Sequence, residues 1–217
     1  MAIYMADFET TTKEEDCRVW AWACVDLATP EDAIADNDIK TFISFISRNS
    51  CTCYFHNLKF DGSFILSYLF RSGYEHVIQK KGRGGKLEPL EPGQISTCIS
   101  DMGQWYTMKV CWMGTETTTE FRDSAKLIPL PVEAIPKAYG LPDIKLSIDY
   151  KEDREEGHIL TDEEEAYVKE DVIIVAKAIN IMRQQGQKKL TAAANALYDF
   201  QDKNRFKGIQ KVISQNR

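Results

Sequence analysis

No stretch of the sequence approaches the roughly 20 consecutive apolar residues of a membrane span, and the N-terminus lacks the basic-then-apolar pattern of a signal peptide. Neither a spanning protein nor a secreted one is expected. Paired cysteines at zinc spacing are also missing. Cys17, Cys24, Cys51, Cys53, Cys98 and Cys111 are scattered, and Cys51-x-Cys53 has no second pair to complete a tetrahedral set. They read as free thiols of a reducing cytoplasm, several of them buried. The glycine cluster Lys81-Gly82-Arg83-Gly84-Gly85-Lys86 lacks the Gly-Lys-Ser/Thr ending of a P-loop, so a mobile hairpin is the better reading. There is no internal repeat and no low-complexity segment. What is present is 217 residues, 43% of them hydrophobic, enough for one large domain or one domain with an appendage.

The net charge of −6 argues against a nucleic-acid ligand only until its distribution is considered. Residues 151–171 hold ten acids and three bases, so that short segment alone carries −7 and the remainder is near neutral. Residues 183–217 hold eight Lys/Arg against two Asp, and Lys80, Lys81, Arg83 and Lys86 form a second basic cluster. Either patch could meet phosphates or be ordinary solvated surface.

The opening run Ile3-Tyr4-Met5-Ala6-Asp7-Phe8-Glu9-Thr10 reads as a strand, with residues 18–26 as its antiparallel neighbour. Side chains two apart on a strand share a face, so Asp7 and Glu9 stand together and Phe8 turns into apolar packing. Two adjacent carboxylates resist joint ionisation, and a hard divalent cation with oxygen ligands relieves the conflict. The bland alternative is a strand end with solvated acids. Residues 38–48 follow as an amphipathic helix. A short buried strand, Cys51 to Phe55, then runs into His56-Asn57-Leu58-Lys59-Phe60-Asp61 and a helix to about Arg71. Asp61 is thus expected near a helix N-terminus directly after a strand, where α/β folds build sites and where an Asp equally serves as a cap. Strands are expected at 95–100, 105–112 and 117–122. A proline-punctuated loop with a short helix at 132–139 comes next, then a strand at 144–150 carrying Lys145. Thr161-Asp162-Glu163-Glu164 fits a capping box for a helix to about Gln185, and a last helical pattern covers 191–200. On the long helix Tyr167 and Asp171 are four apart and share a face.

Asp7, Glu9, Asp61 and Asp171, with Tyr167 a turn before the last, form the kind of carboxylate set that two-metal phosphodiester cleavage requires. A tyrosine hydroxyl beside it could orient the attacking water.

These residues resemble the N-terminal 3′–5′ exonuclease domain of protein-primed family B DNA polymerases, of the kind made by small Bacillus phages. The resemblance runs through Asp7-Phe8-Glu9-Thr10-Thr11-Thr12, Tyr54-Phe55-His56-Asn57-Leu58-Lys59-Phe60-Asp61-Gly62 and Tyr167-x-x-x-Asp171, with Met102-Gly103-Gln104-Trp105-Tyr106 and Ile148-Asp149-Tyr150 adding to it. It covers nearly the whole chain. It implies an α/β, RNase H-like fold, a mixed sheet flanked by helices. It implies two divalent ions, Mg²⁺ or Mn²⁺, held by Asp7, Glu9, Asp61 and Asp171, with Tyr167 orienting water. Lys145, in the pattern Lys145-Leu146-Ser147-Ile148, is implied to support catalysis; its alternative is a solvated surface lysine. Thr10, Tyr54, His56, Asn57, Phe60, Phe64 and Ser124 are implied to grip a single-stranded DNA 3′ end, in keeping with the sequence-tolerant stacking of bases on aromatic faces. Core packing is the alternative for Phe60 and Phe64, and a turn-forming side chain for Asn57.

One departure stands out. The family follows its Ser or Thr with Leu before the proline-rich loop, whereas this chain has Ser124-Ala125, so the leucine's apolar contact is lost or replaced. The motifs of a polymerising domain are missing from these residues. The expected organisation is therefore an exonuclease domain at 1–185 and a basic helical extension at 186–217 leading towards a polymerase domain. A terminal protein primer is an expected partner and the bacterial host cytoplasm the expected location. A stand-alone nuclease of a phage or mobile element, and a non-catalytic module that binds single strands or a terminal protein, are the competing readings.

Overall fold

Alternation along the first strand decides which way the acids face. The computed structural model describes residues 1–13, 15–80, 82, 85–142, 146 and 154–205. In β1 (Ala2–Thr10), Ala6 and Phe8 enter one apolar cluster and Met5 enters the other, so Asp7 and Glu9 lie on the Met5 face. β1 pairs antiparallel with β2 (Val19–Asp26), which pairs antiparallel with the three-residue edge strand β3 (Ile34–Asp36). On its other side β1 runs parallel to β4 (Cys51–Phe55), and β4 runs parallel to β8 (Thr118–Asp123). β7 (Trp105–Cys111), β6 (Gln94–Ile99) and the two-residue β5 (Glu75–His76) complete the eight-stranded order β3-β2-β1-β4-β8-β7-β6-β5. All five residues of β4 are buried, as suits a parallel strand covered on both faces.

Helices cover both faces. α1 (Ile39–Ile46) is capped by Asp38, whose carboxylate accepts the Lys40 N–H at 2.8 Å, and it buries Phe42 and Ile46 against the Phe8 face. α2 (Leu58–Arg71) packs on that same face through Leu58, Ile65 and Leu69. Gly62 is needed there because Trp105 lies against the helix: a Cβ at that position would sit 3.0 Å from the indole ring. The opposite face is covered by α4 (Asp162–Gln184), with its stripe of Val168, Val172, Val175 and Ile179. Its start is the expected capping box, Thr161 and Glu164 each accepting the other's backbone N–H. The proline-rich connection forms a 3₁₀ turn, Val132–Ala134, continuing into α3 (Ile135–Tyr139), and α5 is Ala192–Arg205. The fold is the expected mixed α/β sheet with helices on both sides. Among the described residues no helix is long and apolar enough to cross a membrane, and all six cysteines are free thiols.

Some expectations need adjustment. β3 and β5 lie outside the strands that the sequence predicts, because two- and three-residue edge strands carry too little alternation to register. α2 begins at Leu58, which places Asp61 inside the first turn and makes Asn57, not Asp61, the N-cap residue. The expected strand at 144–150, with Lys145, falls outside the described residues apart from Leu146, as do Lys81 and Arg83 of the glycine-rich loop.

The pairing of β1 with β2 is irregular near its end. Glu9 pairs with Ala21 but Thr10 pairs with Val19, which leaves Trp20 as an extra residue on β2. This bulge turns Trp20 to the α4 face, beside Ala21 and Ala23, instead of the α1 face that strict alternation would give it.

Candidate active site

Three elements converge at the C-terminal end of β1. The strand delivers Asp7 and Glu9, the latter only 9% exposed. α4, lying across the same face, delivers buried Tyr167 and Asp171 one turn apart. One carboxylate oxygen from each of Asp7, Glu9 and Asp171 comes within 4.8 Å of the others. α2, from the far side of the sheet, contributes Asp61, which is 2% exposed and reaches around the strand end to accept the Phe8 N–H at 3.2 Å. All four acids and Tyr167 line one cavity of about 240 Å³, with Val132 and Val175 as apolar wall.

Three hard carboxylates at that spacing suit a hard divalent cation, which takes oxygen ligands and removes the repulsion between them. Asp61 records the repulsion. Burial first, then the neighbouring charges of Asp7 and Glu9, push its carboxyl well above the ordinary range, against the opposing pull of the backbone N–H groups of Asp61 itself and Phe8. A raised folded-state pKa means stability that is full below the unfolded value and is lost as pH rises through the folded one. Asp61→Asn keeps an oxygen for the Phe8 N–H and removes the charge. In the metal-free protein at neutral pH it is expected to raise the melting temperature by a few degrees, about 1–2 kcal/mol. A drop of that size instead would make Asp61 a structural acid.

The residues expected to hold DNA divide into two groups. His56, Asn57 and Phe60 line the cavity, and Phe60 stands at its rim, 46% exposed. Phe64 meets Phe60 edge-on with ring centroids 5.4 Å apart, and it borders a neighbouring depression with Tyr68 and Arg71. Thr10, Tyr54 and Ser124 do not line the cavity. Thr10 ends β1 beyond the bulge, and Tyr54 is buried in the α4-side core. Ser124 is 0% exposed: its hydroxyl donates to the Phe55 carbonyl at 3.1 Å and lies 3.0 Å from Nδ1 of His56. His56 donates from Nε2 to the Leu130 carbonyl at 2.8 Å. Ser124 therefore fixes the imidazole and has no surface of its own to offer a strand.

Residues that the sequence reading did not single out also shape the site. Asp123 lies behind Asn57. Arg154 and His158 both bind Glu164, one turn before Tyr167. Asp123 and Asn57 are 66 residues apart, too far for a short motif to mark them, and Arg154 and His158 reach Glu164 from the loop before α4, where no helical or strand periodicity applies.

Residues 43–213 match the family described as DNA polymerase type B, organellar and viral. Over 214 residues, 97% of this chain, the sequence is 38% identical to the DNA polymerase of Bacillus phage phi29, of which it covers 36%. It is 26% identical to the DNA polymerase of Streptococcus phage Cp-1, over 91% of this chain and 33% of that protein. A solved structure of phi29 DNA polymerase complexed with single-stranded DNA matches with a TM-score of 0.83 at 37% identity, over 95% of this chain and 35% of that one. The orthorhombic crystal form of phi29 DNA polymerase matches at 0.84 and 36% identity, again over 95% of this chain and 35% of that one. The chain thus spans about a third of the length of these relatives.

Proposed function

The chain belongs to the type B DNA polymerases of organelles and viruses, and from that premise we propose that it is the 3′–5′ exonuclease region of a protein-primed phage polymerase, trimming single-stranded 3′ ends during replication. The observation that carries this reading is the convergence of Asp7, Glu9 and Asp171 within 4.8 Å around a cavity shared with Asp61 and Tyr167. Those four acids would hold two divalent ions, Mg²⁺ or Mn²⁺. When bound, such ions supply a hydroxide nucleophile and stabilise the leaving oxygen of the phosphodiester. The chain's own groups do the rest. Tyr167, which lines the cavity, orients the attacking water through its hydroxyl. Phe60 at the rim stacks on a base without regard to its identity, and Asn57 and His56 hold the terminal nucleotide. Lys145 supports the charge of the transition state. Tyr54, Thr10, Phe64 and Ser124 act from around this first set of contacts.

In this proposal residues 1–185 make up the exonuclease domain and 186–217 lead towards the polymerising body, with a terminal protein as a further partner. The test is degradation of a 3′- or 5′-labelled single-stranded oligonucleotide. Mononucleotide release from the 3′ end with Mg²⁺ or Mn²⁺, and none in chelator, is the expected result. Activity that survives EDTA, or that starts at the 5′ end, sinks the assignment.

A further inference from the structure

Asn57 is an anomalous helix cap. An Asn before the first turn ordinarily sits in the extended region and lends its side-chain oxygen to the backbone N–H two or three residues on. Here it stands at φ 80°, ψ 58°, in the left-handed region, and its side chain makes no capping hydrogen bond. Asn57 and Glu116 are the only described residues other than glycine with positive φ. A side chain with a Cβ needs support to stay in that region, although Asn tolerates it better than most.

The support comes from 66 residues away. Asp123, at the end of β8 and 3% exposed, accepts the Asn57 N–H on Oδ1 at 3.1 Å. The same oxygen accepts the Ala125 N–H at 2.9 Å, capping the 3₁₀ turn that follows. Its second oxygen meets Nζ of Lys126 at 3.6 Å, and that ammonium lies 5.7 Å over the Tyr106 ring, so the buried charge is balanced. Charge-assisted hydrogen bonds of this kind are strong enough to hold a sparsely populated backbone geometry.

We infer that Asp123 is a positioning residue: its buried carboxylate holds Asn57 in the left-handed region and so frees the asparagine amide from helix capping to serve the cavity. Ser124, next in the chain, fixes His56 in the same way, so the end of β8 braces both cavity-lining residues that follow β4. The value of this brace to DNA binding rests on the exonuclease reading; its existence does not. The bland alternative is that Asp123 only caps its own turn.

Amide hydrogen exchange and oligonucleotide affinity separate the two. In Asp123→Ala, exchange at the Asn57 amide is expected to speed up about tenfold or more while Cys53, in the core of β4, keeps its protection. Asp123→Asn retains an acceptor oxygen and is expected to restore most of the protection. Affinity for a short single-stranded oligonucleotide in Ca²⁺ is expected to fall about tenfold in Asp123→Ala. In an Asn57→Gly background, where glycine reaches the left-handed region unaided, Asp123→Ala is expected to cost no further affinity. Unchanged Asn57 exchange in Asp123→Ala, or additive losses in the Asn57→Gly background, overturns the inference. If the wild-type protein binds and cleaves no DNA, the exonuclease reading fails, and the exchange measurement still decides the brace.

Discussion

Asp171→Ala is expected to leave essentially no cleavage of a single-stranded oligonucleotide, about 10⁴-fold or more below wild type in a single turnover, while Tyr167→Phe retains weak cleavage that still requires metal. The two side chains share one face of α4 and one cavity, but their chemistry differs. Asp171 is one of three carboxylates within 4.8 Å, so its loss breaks the donor set as a unit. Tyr167→Phe keeps the ring and its core packing and deletes one hydroxyl. Positioning of one water through one hydrogen bond is typically worth about 10²-fold. Oligonucleotide affinity in Ca²⁺, measured alongside, is expected to be near wild type for Tyr167→Phe. Wild-type cleavage by that variant would reduce Tyr167 to packing and remove it from the mechanism.

The second large effect lies at the start of α4. Glu164 is buried and still ionised down to low pH. Burial alone would raise its pKa, but the Thr161 N–H, His158 and Arg154 together outweigh burial and hold it at about 2. Arg154 Nε donates to one oxygen at 2.7 Å and His158 Nε2 lies 2.7 Å from the other. The Arg154 guanidinium stacks 4.1 Å over Trp20, the residue that the β2 bulge turns to this face. Removing Arg154 leaves the buried Glu164 carboxylate with only His158 and the Thr161 N–H, so Arg154→Ala is expected to cost about 3 kcal/mol and on the order of 10 °C in melting temperature. The pH dependence has a fixed sign. A depressed folded pKa gives stability that is present above the unfolded value of 4.5 and is lost as pH falls towards about 2. The full effect is about 3 kcal/mol. Glu164→Gln should therefore be clearly less stable than wild type at pH 6, with the gap closing below pH 4. A gap independent of pH would show that the carboxylate's charge contributes nothing.

What the sequence made legible is what local periodicity controls. Asp7 and Glu9 share a face because strands alternate, and Tyr167 and Asp171 share one because helices repeat near every fourth residue. The β4-to-α2 junction followed from an apolar run meeting an amphipathic one. The rest depends on contacts between distant residues. Nothing local says that Asp61 reaches behind β1 to the Phe8 N–H, that Ser124 is buried under His56, or that Asp123 supports Asn57. Nor does alternation predict the Trp20 bulge, since one inserted residue puts Trp20 and Ala21 on the same face and moves Val19 to the other, while the residues on either side still alternate among themselves.

The chain order of the elements also sets when the carboxylate set is complete. β1 can pair locally with β2, but β4 on its other side and β8 beyond that are made later, and Asp171 arrives on a helix made 164 residues after Asp7 (171 minus 7). At translation rates of about 5–20 residues per second, that separation is roughly 8–30 s of synthesis. Throughout that interval a nascent chain displays Asp7 and Glu9 without the helix that completes the carboxylate set. On the proposed exonuclease reading, products of premature termination before α4 are expected to be inert towards nucleic acid, because they lack Asp171 and Tyr167.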